Sequence, residues 1–197
     1  MSENFPTNNA ATMIDTILPE SANIWIYKLA LALVGTAFLT LSAKIQVPFY
    51  PVPMTMQTFV VLVIGMAFGW KLGGLTVLAY LLEGAVGLPV FAGTPIKGIG
   101  LVYMTGPTGG YLVGFLISAI AVGYLAEKGF DRSITKTLVA MVLGTLIIFT
   151  SGYIWLANLI GVEKAFQFGV VPFVWGAIFK IGLAAALLPL FWNLIRR

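Results

Sequence analysis

The sequence predicts an all-α integral membrane protein, a compact bundle of six transmembrane helices forming one domain. Three observations carry this. Of its 197 residues, 59% are hydrophobic and only 9% are charged, against roughly 25% charged in a soluble domain. Apolar runs recur along the chain at lengths near the ~20 residues that cross a hydrocarbon core about 30 Å thick. The 22 glycines fit helices that pack in a bilayer. A soluble chain of this composition would expose large apolar patches and aggregate.

Taken in order, Met1 to Ser21 is polar and weakly acidic (Glu3, Asp15, Glu20). It has no basic segment of the kind that opens a cleaved signal peptide. Residues 1–23 therefore read as a cytoplasmic tail, with a short interfacial turn around Met13 to Leu18, and residues 24–197 as the membrane domain. The predicted spans are 24–45, 54–68, 72–88, 108–126, 135–159 and 173–195. The second and third are short, but a single span over 54–88 would be about 35 residues, too long for one crossing. Gly69, Trp70 and Lys71 mark the boundary, since Trp and Lys are common interface anchors.

Six spans put both termini on one side. The segments on that side hold Lys28, Lys71, Lys128, Arg132, Lys136, Arg196 and Arg197, and the opposite loops hold Lys44, Lys97 and Lys164. The excess of basic residues makes the termini cytoplasmic, and it accounts for most of the net charge of +4 without any nucleic-acid surface, because the basic residues are scattered singly. No repeat and no linker divides the chain.

Two segments on the outer side differ from ordinary connectors. Residues 46–53 contain Pro48, Pro51 and Pro53, which enforce extended backbone. Residues 89–107 are rich in Gly and Pro yet apolar. Irregular backbone at membrane depth persists only where it is buried in protein or lines a cavity, so the pair predicts a lid over an outer-face substrate pocket. The plainer alternative is two hydrophobic loops resting on lipid headgroups.

Two charges lie well inside spans, Glu83 and Lys180, and intramembrane ionisable groups mark functional sites by default. The Lys180 ammonium can hold a ligand carboxylate or donate to a carbonyl; a salt bridge with Glu83 or a bond to a helix-end carbonyl is the structural alternative. Glu83, nearer the outer end of its span, suits an interfacial or bridging role as well as ligand contact. Small residues at Ala32, Thr36, Thr40 and Ala43 share one helix face, suited to internal packing or to docking a partner. The absence of Cys and His removes disulfides, Cys/His metal sites and imidazole catalysis. Gly93 to Gly98 is followed by Ile99, so it is not a phosphate loop. With neither paired carboxylates nor a Ser–His–Asp set, the chain is not expected to be an enzyme.

Four ordered strings, residues 41–48 (LSAKIQVP), 51–58 (PVPMTMQT), 87–93 (GLPVFAG) and 106–115 (GPTGGYLVGF), resemble the BioY family of biotin-specific S components of energy-coupling factor (ECF) transporters. The resemblance runs from about Lys28 to the C-terminus. It implies a six-helix protein of the bacterial cell (inner) membrane that captures biotin in a pocket near the outer face. It also implies a transmembrane coupling subunit and two cytoplasmic ATPase subunits as partners, with ATP used there and no cofactor bound by this chain. Lys180, Glu83, Gln57, Tyr50, Phe91, Gly93, Thr94, Tyr103 and Tyr111 become the expected substrate-binding residues, and Ala32 and Thr36 the expected docking face for the coupling subunit. One position departs from the family pattern: Ala177 stands where the last helix usually carries Asp, three residues before the Lys. Glu83 is the carboxylate expected to compensate; the alternatives are lower affinity or a different small vitamin. A non-transporting membrane scaffold would account for the spans but not for the two loops.

Overall fold

The structure is a computed structural model in which residues 12–17 and 24–195 are described; most of the expected tail, as well as Arg196 and Arg197, lies outside them. Among the described residues, ten elements follow one another: α1 (Met13–Ile17), α2 (Ile24–Lys44), β1 (Gln46–Val47), β2 (Met54–Thr55), α3 (Gln57–Ala85), α4 (Gly100–Met104), α5 (Gly109–Glu127), α6 (Ile134–Ile160), α7 (Val162–Gly169) and α8 (Val174–Ile195), with 3-10 turns at Phe130–Arg132 and Val171–Phe173. Five helical segments are long and apolar enough to cross a membrane. This is a multi-pass, all-α membrane protein.

α3 is not one rod. Gly69 breaks it with φ 77° and ψ 176°, a left-handed φ that a side chain would strain. In a straight helix Gln57 and Tyr80, 23 residues apart, would stand about 34 Å from each other at 1.5 Å per residue. Instead the Gln57 amide nitrogen donates to the Tyr80 hydroxyl at 2.6 Å. The chain therefore folds back at Gly69, where the sequence places a span boundary. The two halves touch through glycine, since a Cβ on Gly73 would stand 3.0 Å from the Gly65 Cα. Contact this close between backbones is what small residues permit in membrane helices.

α5 lies along this hairpin and α6 along α5, so the hairpin and α5 form the centre. The core runs through Val61, Met66, Val77, Tyr80, Ala119, Val122 and Ile148, all fully or almost fully buried. The outward faces stay apolar, as with Leu33 and Phe38 on α2 or Trp175 and Phe179 on α8, the pattern of helices solvated by lipid.

Four expectations change in detail. Met54 and Thr55 do not start a helix: they pair as a strand with Gln46 and Val47, Gln46 opposite Thr55 and Val47 opposite Met54, because the prolines between them hold the chain extended. The 89–107 segment is not wholly irregular, as Gly100–Met104 makes a short helix. Val162–Gly169 forms a helix that the sequence reading did not assign. The turn near Met13 is not simply interfacial. Thr12 and Met13 are buried, and α1 packs against α3 and α8. Thr12 and Asp15 also bond reciprocally at its start, Thr12 Oγ1 to Asp15 Oδ2 at 2.7 Å and Asp15 N–H to Thr12 Oγ1 at 3.3 Å, satisfying backbone donors that the first turn leaves open.

Candidate functional site

At the end of the bundle opposite Gly69, the elements part around a cavity of about 740 Å³, some of it open to solvent. Both unusual loops help to build it. The β1–β2 hairpin supplies Val52, Pro53 and Thr55, and the 89–107 segment supplies Ala92 and Tyr103. The first half of α3 contributes Gln57, Thr58, Phe59 and Leu62. α5 adds Tyr111, Leu112 and Phe115, α6 adds Met141, Thr145 and Phe149, and α8 adds Ala177, Lys180 and Ile181, with Phe173 just before it.

Aromatic rings shape one wall. Tyr111 and Phe149 each lie 6.4 Å, centre to centre, from Phe173, and Phe49 of the hairpin meets the same ring edge-on at 6.3 Å. The Tyr111 hydroxyl, 2.7 Å from the Gly169 carbonyl, ties α5 to the segment that leads into α8. Tyr103 stacks on Phe91 at 4.9 Å, and burial pushes its phenol above the usual range, with Thr108 opposing that shift. It therefore acts as a neutral hydroxyl.

The polar groups gather around Thr55. Lys180 Nζ donates to the Thr55 carbonyl at 2.5 Å and to the Thr58 hydroxyl at 3.1 Å. An ammonium has three N–H donors, so one remains for a ligand in the cavity. The Gln57 side chain, 4% exposed, sits beside Thr55, its amide oxygen 3.3 Å from the Thr55 hydroxyl.

The loops are fastened from below. Lys44, at the end of α2, donates to the carbonyls of Pro89 at 2.8 Å and Phe91 at 3.0 Å and to the Thr94 hydroxyl at 3.2 Å. The Trp155 indole donates to Gly106 at 2.9 Å.

Of the residues singled out from sequence, Lys180, Gln57, Tyr103 and Tyr111 line the cavity together. Phe91 is 1% exposed and supports Tyr103 from behind. Gly93 and Thr94 lie beyond it, Thr94 held by Lys44 and by its own bond to Phe91. Tyr50 points away, 87% exposed at the hairpin tip. Glu83 is half-buried on the second half of α3, off the cavity wall, and makes no ion pair with Lys180, whose bonds go to Thr55 and Thr58. Ala177, where the acid is missing, is a wall residue and Glu83 is not. Thr36 is 4% exposed on α2 and bonds its own helix at Leu33; Ala32 is half-buried one turn before it. Thr36 faces the protein, the internal-packing alternative.

Sequence reasoning missed Thr55 and Thr58, although both stand in a string already singled out. Lys44, within the 41–48 string, reads in sequence as an outer-loop charge, and Tyr80 as one more residue of an apolar span. No local signal marks these two, because their partners are distant in sequence.

The model of the BioY family matches residues 11–197. A probable biotin transporter of Pyrococcus horikoshii is 38% identical over 157 residues, covering 80% of this chain and 91% of the relative. A biotin transporter of Thermotoga maritima is 42% identical over 151 residues, covering 76% and 86%. In fold, the chain is similar to a crystal structure of the S-component for biotin from an ECF-type ABC transporter, with TM-score 0.75 and 24% identity, over 89% of this chain and 95% of that one.

Proposed function

Because this chain belongs to the BioY family, we propose that it captures biotin as the substrate-binding subunit of an ECF-type vitamin transporter, and that it is not an enzyme. The observation that carries this reading is the Lys180 ammonium, held by Thr55 and Thr58 at the wall of an otherwise largely apolar cavity bordered by two loops. Biotin has an apolar bicyclic thioether and tail, a ureido head and a carboxylate. Such a ligand needs an aromatic and aliphatic pocket with a few placed polar groups, and Tyr111, Phe149 and Phe173 beside Lys180 and Gln57 supply that combination.

In this reading the chain makes six crossings, with α3 counted as two. The break at Gly69 and the bond from Gln57 to Tyr80 support that count. The cavity then opens to the outer face of the bacterial cell membrane, and the termini and the 1–23 tail are cytoplasmic. The β1–β2 hairpin closes over biotin. A transmembrane coupling subunit with two cytoplasmic ATPase subunits reorients the protein to release biotin inside, the ATP being used by those partners.

The test is calorimetric titration of the detergent-purified chain with biotin, desthiobiotin and biotin methyl ester. Tight binding of biotin is the expected result, and weakening by the ester would show that the carboxylate is recognised. No heat from a folded sample would move the reading to another small vitamin, with Ala177 as the reason. The crossings can be tested separately, since the chain has no cysteine. Cysteines placed singly at Lys71 and Lys97 should label from opposite sides of the membrane. Labelling of both from one side would sink the six-crossing count.

A further inference from the structure

The cavity wall carries a hydrogen-bond chain whose direction follows from chemistry alone. The Tyr80 hydroxyl oxygen lies 3.0 Å from the Val90 carbonyl oxygen and 2.6 Å from the Gln57 amide nitrogen. A carbonyl only accepts and a phenol has one proton, so Tyr80 donates to Val90. Its oxygen is then left to accept, and the only donor end of the Gln57 side chain is its NH2 group. The amide oxygen is thereby turned toward the Thr55 hydroxyl at 3.3 Å. That hydroxyl already accepts from the Gln57 backbone N–H at 3.2 Å, so its proton is available to the amide oxygen. An amide normally ambiguous in orientation has one orientation here.

Tyr80 is fully buried and does not line the cavity, whereas Gln57 and Thr55 do. Its fully buried ring packs edge-on against Phe91 at 5.4 Å. We propose that Tyr80 is a positioning residue that sets the polarity of the cavity wall. It holds the Gln57 amide with its oxygen rather than its NH2 group beside Thr55, and the wall therefore selects ligands that offer an N–H group. Lys180 reaches the carbonyl of the same Thr55, which puts an N–H donor next to this acceptor. The two together complement a ligand's adjoining N–H and C=O, and Gln57 supplies an acceptor that α8, with Ala177, does not. This rests on the biotin reading, in which the ureido head carries both groups.

The test is a double-mutant cycle read by calorimetric titration with biotin on the full chain. Tyr80→Phe should weaken binding at least fivefold when Gln57 is present and less than twofold in a Gln57→Met background, since Tyr80 acts only through that amide. Losses that add, or an unchanged affinity in Tyr80→Phe, overturn the proposal while leaving biotin capture intact. Absence of binding to the unaltered chain sinks the functional reading and this inference with it. Should Tyr80→Phe not fold, the unaltered protein is titrated with a biotin analogue whose two ureido N–H groups are replaced by ring oxygens. Binding at least fiftyfold weaker is expected, and binding equal to biotin overturns the proposal.

Discussion

The two ends of the bundle use buried polar groups in opposite ways. At the end opposite the cavity, Asp131 is fully buried in the Phe130–Arg132 turn and accepts a hydrogen bond from the Trp192 indole near the end of α8. The Arg132 guanidinium lies 4.8 Å from the Trp192 ring, and the Thr137 hydroxyl holds the Phe130 carbonyl at 2.9 Å. Here polar groups meet one another across close-packed helices. At the cavity end, Lys180, Gln57 and Thr55 are also bonded, but around empty volume, and Lys180 keeps a donor in reserve. Buried polarity without a void fastens helices, and buried polarity beside a void can bind. The difference lies in packing, not in residue type.

That comparison can be broken most readily at the fastening end. Asp131→Ala should destabilise the protein by about 2 kcal/mol, within the roughly 1.5–3 kcal/mol that a hydrogen bond to a charged group contributes, read as a lower melting temperature in detergent. Its biotin Kd should stay within twofold. A large change in Kd at constant melting temperature would mean that the two ends are not separate in function.

Lys180→Ala should do the reverse, weakening biotin binding at least tenfold, or about 1.4 kcal/mol, with a smaller loss of stability from the two bonds it makes. Unchanged affinity would remove Lys180 from the site. A smaller effect is expected at Lys44, which touches the loop rather than the cavity. Lys44→Met should raise Kd about threefold, or about 0.7 kcal/mol, mainly through faster dissociation in a stopped-flow measurement, as Pro89, Phe91 and Thr94 lose their common donor. Lys44→Arg should recover part of this. The smallest change belongs to Ala177→Asp. If Gln57 already offers the acceptor, restoring the acid should alter Kd less than twofold, and a tenfold gain would show that the site lacks an acceptor without it.

Much of this architecture was legible in the chain. Hydropathy and length mark the helices, because a bilayer imposes the same requirement on every span. Gly69, Trp70 and Lys71 mark a break because only an irregular residue and interface anchors fit there. Lys180 was identifiable because a charge deep in an apolar run is costly without a purpose, and the two Pro/Gly-rich segments because such backbone needs shelter. Glu83 satisfied the same criterion as Lys180, yet it lies off the cavity wall. Which way a helix turns a residue is set by its neighbours.

The sequence by itself determined the all-α membrane class, the long apolar helices and the two Pro/Gly-rich segments, since these depend on composition and local pattern. Only the tertiary structure decided that Gln57 meets Tyr80, that Lys180 reaches Thr55 across 125 residues of chain, and that Lys44 holds the second loop. Hydrogen bonds are short-ranged and directional, so which polar groups find one another depends on distances that no local pattern encodes.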